Sequence, residues 1–452
     1  MAHHKTDYLI IGNSAAGVTA AEYIRATDEN GSILIVSREP YPAYGRPLIS
    51  YLLEGKTTEE KMAFKPADFY ESHGLETLFG PGFEVVSLDP DAHTATLMNG
   101  DDIAYGKCLM ATGSVPFMPP IKGLDGKTNV YPFLTLDDAK SAWGAAIAAT
   151  EAARRADRPS RVIVVGAGLI GLKAAEALSH HVDEVLVLEL APRILPAVLD
   201  DGGAALLQTM LGQRGIDCMP GVSAAEFLGE DDEITGAVLT DGSTVRCDFV
   251  VAAVGVRPNS ALAVAAGAEE GRGLVCGTDL MTSLPDVYAA GDVTQVTDVL
   301  DGSKKPLALW PNAIRQGKAA GLSMAQANDA EPFEGNFAVN AVDFFDISLL
   351  TAGIINPPAD GAYETRVFSE GQTYAKFVVD DERLVGYILL NRPANAGIYT
   401  AMIEQKVPLS SLSGDPLVDA PANLDFPADV RWGRLHKCYP SGLDERGWKE
   451  TA

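Results

Sequence analysis

Two glycine turns, each set between an apolar strand and a run of helix-forming residues, constrain this chain more than any other feature. The first, Gly12-Asn13-Ser14-Ala15-Ala16-Gly17, follows the apolar run "DYLII" at residues 7–11. The second, Gly166-Ala167-Gly168-Leu169-Ile170-Gly171, lies inside "RVIVVGAGLIGLKAAEAL", residues 161–178. Strand, tight turn and helix in that order bring the free N–H groups of a helix N-terminus to the end of a strand, where they can cradle a pyrophosphate. One such motif also occurs in ordinary turns. Two copies in the same context read as two dinucleotide sites. Ser14 takes the place of a middle glycine, and a serine is still small enough to let a pyrophosphate approach the backbone.

The strand after each helix ends near an acid. "EVLVLE" closes on Glu189, at about the 20-residue spacing of a carboxylate that bonds the ribose hydroxyls of NAD(H), whereas an arginine there would suit NADP(H). In the first half "SILIVS" is followed by Glu39, somewhat farther from Gly12, as the candidate for the same contact. Further strand ends come in a matched pair: Ala111-Thr112-Gly113 after "YGKCLM", and "CDFVVAAVGVRPNS" at residues 247–260, containing Gly255. A short strand in "TSLPDVYAAGDV" closes on Gly291-Asp292; the aspartate could cap the next element, but here it is expected to bond a cofactor. "LWPNAIRQGKAAGLSMAQA", residues 309–327, reads as a helix whose start is marked by Pro311, Asn312 and Ala313.

A chain of 452 residues is long enough for two or three domains. The predicted fold class is α/β: two Rossmann-like dinucleotide-binding domains, a C-terminal α+β interface domain and an extended tail. The expected boundaries are residues 1–120 with 247–330 for the first domain and 121–246 for the second. The α+β domain runs over 331–408, where "TYAKFVVDDERLVGYILL" gives alternating strands, and the Pro-, Gly- and Asp-rich tail over 409–452.

The formal charge of −26 repels phosphate backbones and anionic lipid, so neither nucleic acid nor membrane is expected as a partner. "VIVVGAGLIGL", the longest uncharged apolar stretch, falls far short of the roughly 20 residues of a membrane span. The N-terminus goes straight into a strand without an apolar leader, and a cytoplasmic location is expected. Five cysteines without a CxxC argue against an iron-sulfur cluster or zinc site on this chain. The seven histidines have no ligand spacing, so no metal is expected.

Taken together, GNSAAG, ATG, GAGLIG with Glu189, AAVGVRPN and YAAGDV resemble the FAD- and NAD(P)H-dependent pyridine nucleotide-disulfide oxidoreductase superfamily over roughly residues 5–408. The resemblance implies FAD and NAD(H) as cofactors. It places the FAD diphosphate on Gly12, Ser14, Ala15, Ala16 and Gly17, the ribityl chain on Asp292, and the nicotinamide dinucleotide on Gly166, Gly168, Leu169, Ile170, Gly171 and Glu189. Ala111, Thr112, Gly113 and Gly255 flank the cofactors. The helix starting near Asn312 and Ala313 would aim its positive end at the flavin pyrimidine ring.

"EPYPAYGRPLISYLLEGK", residues 39–56, lies where many related flavoproteins keep a redox-active cysteine and has none. It is similar to the Y-x-R-P-x-L-S pattern of rubredoxin and ferredoxin reductases and of the flavin module of assimilatory nitrite reductase, with Arg46 and Pro47 at the matching positions. Disulfide chemistry is therefore disfavoured. Such relatives carry a glutamate two residues after the third glycine and a lysine after the Leu-Ser pair; here those positions hold Lys173 and Tyr51. Arg46, Tyr51 and Lys173 are the candidate catalytic residues. The implied function is an FAD-dependent NADH:acceptor oxidoreductase that passes electrons to an iron-sulfur carrier or partner subunit, by hydride transfer to flavin N5 and one-electron exit. The resemblance also implies a homodimer; the acidic surface, which would repel acidic iron-sulfur carriers, points instead to a stable complex in which the tail over 411–452, with Trp432 and Trp448 as anchors, clasps a neighbouring subunit. The alternatives are an NADH oxidase reducing oxygen at the flavin, a disulfide or persulfide reductase using a distant cysteine, and an NADH-sensing flavoprotein without turnover.

Overall fold

The computed structural model describes residues 2–428, apart from 329, 360, 413–414, 419–420, 423–424 and 427. The chain divides into a larger unit, residues 1–197 and 207–338, and a smaller one, residues 198–206 and 339 onward. The tail anchors Trp432 and Trp448 lie outside the described residues.

Hydrophobic strands organise the larger unit into two parallel sheets. In the first, Leu75–Phe79, Ile33–Ser37, His3–Ile11 and Asp102–Met110 run side by side and parallel, and the end of Asp102–Met110 pairs with Val287–Ala289. An antiparallel extension, Thr94–Leu97 and Val85–Asp89, completes it. Leu9, Ile10, Ile35, Cys108 and Leu109 are inaccessible to solvent, as expected of strands covered on both faces. The helices Ala15–Thr27 and Trp310–Met324 lie together on this sheet. They approach so closely that a Cβ on Gly317 or Gly321 would meet the carbonyls of Ala16 and Ala20 at 2.4 and 2.6 Å.

The second sheet is parallel throughout, in the order Ile216–Pro220, Glu184–Glu189, Arg161–Val165, Phe249–Ala252, Val130–Pro132. Its fourth strand lies beyond residue 247, so the second domain takes in residues assigned by sequence to the first. Phe249–Ala252, the counterpart in pattern of the strand before Ala111, hydrogen-bonds to Arg161–Val165, the strand of the second glycine turn. An antiparallel three-stranded sheet covers residues 224–246. The two connecting segments, Ser114–Pro116 and Val256–Pro258, pair with each other as an antiparallel ribbon.

The smaller unit is a five-stranded antiparallel sheet, ordered Val339–Phe344, Ile347–Gly353, Arg383–Leu390, Thr373–Asp380, Tyr363–Glu370, with the helix Ala396–Glu404 packed on it. Asp381, with φ of 54°, makes the tight turn between two of the strands. Within this unit Asp200 accepts hydrogen bonds from Tyr374 Oη at 2.7 Å and Gly203 N at 3.0 Å, and Lys376 Nζ lies 3.1 Å away.

Candidate functional site

Strand register brings the first set of motifs to one edge. Ile11 is level with Val36 and Met110, and Met110 with Ala289, so Gly12, Ser37, Ala111 and Ala290-Gly291 all leave the sheet at its carboxyl end. In open parallel sheets this is where ligands bind. Gly12 has φ of 121°, and a Cβ there would lie 2.1 Å from the Ala111 carbonyl oxygen; one on Gly17 would lie 2.1 Å from that of Gly12. These two glycines serve the chain's own packing. Ser14 is the half-exposed N-cap of Ala15–Thr27, and its side chain makes no capping bond.

The same logic builds the second edge. Val165 is level with Leu188 and Ala252, so Gly166, Glu189 and Ala253 emerge together. Cβ atoms on Gly166 and Gly171 would collide with backbone at 2.4 and 1.9 Å, but one on Gly168 would meet nothing within 4 Å. The middle glycine is therefore not demanded by protein packing, and it leaves the backbone open to a group the chain does not supply. Glu189 accepts from Ala167 N and Ala191 N, both at 2.8 Å, which aims its carboxylate across the turn.

Glu39 is oriented by two neighbouring side chains. Arg46 Nη2 donates to Glu39 Oε1 at 2.6 Å and Tyr44 Oη donates to Oε2 at 2.7 Å, so both oxygens are already engaged. Arg46 also donates to the Leu134 carbonyl, and the Leu136 N–H donates to Tyr44 Oη. The network ties residues 39–46 to the start of the helix Leu136–Arg155. Burial pushes the Tyr44 hydroxyl pKa up.

Asp292 emerges beside Gly291 and accepts a hydrogen bond from Ser114 Oγ at 3.2 Å. Burial raises its pKa, against the opposing pull of that bond and of Arg46. Asn312 is buried, donating to the Leu307 carbonyl and accepting from Asn336. Ala313 packs in the core at the same helix start, while Gln316 Oε1 accepts from Gly291 N and Thr294 Oγ1. Thr112 Oγ1 donates to the Asn259 carbonyl, and Gly113 and Gly255 both have positive φ where the ribbon begins.

Lys173 and Tyr51 do meet. Lys173 Nζ lies 4.6 Å from the centre of the Tyr51 ring, 3.3 Å from Glu54 Oε1 and 2.5 Å from Glu176 Oε2. Pro47 opens the short helical turn Arg46–Leu48 that leads into the helix Ile49–Leu53. On that helix Ser50 Oγ is buried without a hydrogen-bond partner within the chain.

Several residues at these edges went unnoticed in the sequence. Asn13 donates to the Tyr41 carbonyl and accepts from Tyr70 Oη, bracing the first turn. Phe64 packs edge-to-face on Trp310 at 5.0 Å, next to the helix start at Asn312. Gln316, one helical turn beyond Asn312, could have been found from that spacing. Glu176 carried no motif.

The described cysteines, Cys108, Cys218, Cys247 and Cys276, are all free. Burial pushes the thiols of Cys218, Cys247 and Cys276 up to about 12 and raises that of Cys108 as well.

The open space at Gly168, the uncapped Ser14, the half-buried Asp292 and the unpartnered Ser50 hydroxyl fit two dinucleotide cofactors, one on each glycine turn. Comparison with known proteins agrees. A family model described as pyridine nucleotide-disulphide oxidoreductase matches residues 6–317. The epsilon subunit of an NADH-dependent phenylglyoxylate dehydrogenase from Aromatoleum evansii is 28% identical over 410 residues, 90% of this chain and 93% of that protein. An NADH oxidase from Methanocaldococcus jannaschii is 33% identical over 326 residues, 70% of this chain and 69% of that protein. Among solved structures, a ferredoxin reductase from Rhodopseudomonas palustris is 27% identical with a TM-score of 0.74, covering 89% of this chain and 98% of that one.

Proposed function

The chain belongs to the pyridine nucleotide-disulphide oxidoreductase family, and from that premise we propose that it carries electrons between NAD(H) and an iron-sulfur protein or partner subunit, without a disulfide. It is an oxidoreductase with sites for FAD and NAD(H). Bound FAD supplies a group that takes hydride from NADH and gives electrons up singly.

The chain's own residues bind and orient. The turn from Gly12 to Gly17 offers N–H groups to the FAD diphosphate, Asp292 accepts from the ribityl hydroxyls, and the helix start at Asn312 and Ala313 directs its dipole at the ring. On the second edge, the turn from Gly166 to Gly171 takes the diphosphate of NADH. Glu189, held by Ala167 and Ala191, keeps lone pairs for the ribose hydroxyls.

The observation that carries an exit without a disulfide is the state of the thiols. Residues 39–56 contain no cysteine, and the four described cysteines are free, with burial holding their thiols protonated. A thiolate relay has no support there. Similarity to a ferredoxin reductase favours an iron-sulfur acceptor. Similarity to an NADH oxidase supports oxygen as the second reading.

Anaerobic stopped-flow decides between them. The flavoprotein is reduced with NADH or NADPH, then mixed with oxygen, rubredoxin, ferredoxin or a one-electron dye while flavin absorbance is followed. Fast reduction by NADH, slow reaction with oxygen and fast transfer to a one-electron carrier are expected. Rapid oxygen consumption would replace the first reading by the second.

A further inference from the structure

Residues 39–46 are anchored twice, and the two anchorages lie on different cofactor edges. On the first edge Asn13 stands inside the glycine turn: its Nδ2 donates to the Tyr41 carbonyl at 3.1 Å and its Oδ1 accepts from Tyr70 Oη at 2.9 Å. Tyr70 Oη accepts in turn from Ala43 N at 2.9 Å. Residues 41 and 43 are thereby fixed to the turn proposed to seat FAD.

The other anchorage belongs to the second sheet. Ala252 is level with both Val165 and Pro132, so the chain after Pro132 leaves that sheet at the same end as Gly166. There the helix Leu136–Arg155 begins, behind a capping box at Thr135. Its first turn takes hold of Tyr41, whose hydroxyl donates to Asp137 Oδ1 at 2.6 Å while Lys140 Nζ lies 4.9 Å from the ring centre. The bond to the Asp137 carboxylate raises the Tyr41 pKa above its ordinary 10.0, so the hydroxyl stays a donor near neutral pH. Arg46 on the Leu134 carbonyl and Tyr44 Oη on Leu136 N add to the same grip. Tyr41 joins the two anchorages, its carbonyl on Asn13 in the first turn and its hydroxyl on the helix start at the second edge.

NADH gives up two electrons and one proton as a hydride and leaves as NAD+. That transfer needs the donating and accepting atoms about 3–3.5 Å apart and aligned, and a small misplacement is costly even when each partner stays bound. Seats built on two separate sheets meet this demand when something fixes their spacing.

We propose that Tyr41 is a positioning residue that sets the spacing of the two dinucleotide seats, with Asn13 holding its backbone and Asp137 its hydroxyl. The inference rests on the reading that FAD and NADH take the two glycine turns. It does not depend on which acceptor follows.

Tyr41→Phe and Asp137→Ala each remove the hydroxyl bond and leave both glycine turns in place. In folded, FAD-loaded protein each should lower the limiting rate of reduction by NADH about tenfold, while FAD content and the Kd for NADH move by less than about twofold. The long-wavelength absorbance of nicotinamide stacked on flavin, read at equilibrium with NAD+ on chemically reduced protein, should fall as well. Because both substitutions break one bond, the double variant should be no slower than either single one. Asp137→Asn keeps an acceptor oxygen and should retain the native rate. Melting temperatures identify the folded variants, and Tyr41→Phe, at a half-buried site, carries the test by itself if Asp137→Ala loosens the helix start. An unchanged rate and absorbance, or a loss of cofactor affinity in place of a loss of rate, would overturn the inference alone. An unmodified chain that holds no FAD, or whose FAD is not reduced by NADH, would overturn it together with the reading beneath it.

Discussion

Arg46 donates to Glu39 across 2.6 Å and fixes the carboxylate that the sequence offers for ribose contact. Both side chains are about three-quarters buried or more, and Tyr44 completes the triangle. The charge pair therefore belongs to the scaffold that holds residues 39–56 against Leu134 and Leu136.

Arg46→Ala removes one partner and leaves a largely buried Glu39 with Tyr44 alone. The cost should fall between the surface and buried limits, about 1–3 kcal/mol. Denaturant melts and the flavin content after desalting test this; native stability with full flavin content would refute the scaffold role.

The glycines divide into two kinds. Gly171→Ala drives a Cβ to 1.9 Å from the Gly166 carbonyl oxygen and should cost on the order of 3 kcal/mol. Gly168→Ala meets open space and should change stability by no more than about 0.5 kcal/mol while weakening NADH binding. Melting curves and NADH titrations of the pair suffice; equal destabilisation would show that Gly168 also serves packing.

Asp292 carries a pH signature. Burial raises its folded pKa above the ordinary 3.8, so the folded state holds this proton to higher pH than the unfolded one. Its contribution to stability is complete below 3.8 and is lost as pH rises through the raised value. Asp292→Asn should therefore stabilise the flavin-free protein at pH 7, with the gain vanishing at acid pH, and should loosen FAD. Melting the stripped protein from pH 4 to 8 checks the sign.

Glu189→Ala should raise the Kd for NADH roughly ten- to a hundredfold, the worth of a hydrogen bond to a charged group. NADPH binding should change less, so the preference narrows. Titration with both dinucleotides measures it, and an unchanged ratio would remove Glu189 from the ribose contact.

Thiol chemistry should be dispensable. With burial pushing the thiols of Cys218, Cys247 and Cys276 up to about 12 and raising that of Cys108, a brief maleimide treatment of the folded protein at pH 8 should leave the rate of reduction by NADH unchanged. Loss of that rate, with mass spectrometry placing the adduct, would reopen the disulfide alternative.

Local patterns made much of this legible. Apolar runs ending in glycine fixed the strands at His3–Ile11 and Arg161–Val165, and the helices after them follow from composition. The helix Trp310–Met324 was marked by Pro311, and the change to alternating strands after residue 331 marked the smaller unit. Strand pairing was harder to see: Phe249–Ala252 looks in sequence like a partner of the first sheet and pairs in the second. Hydrogen-bonding partners of a strand are set by the whole fold, because every buried apolar strand has the same local appearance.

By itself the sequence determined two dinucleotide seats and the absence of a cysteine between residues 39 and 56, since both are properties of contiguous residues. Tertiary structure alone decided that Glu39 is paired with Arg46, that Gly168 faces open space while Gly171 does not, and that Lys173 is held by Glu54 and Glu176. Glu54 and Lys173 are more than a hundred residues apart in the chain. They meet because two helices leaving different sheets converge, and the strength of a charge pair depends on the burial that this convergence creates.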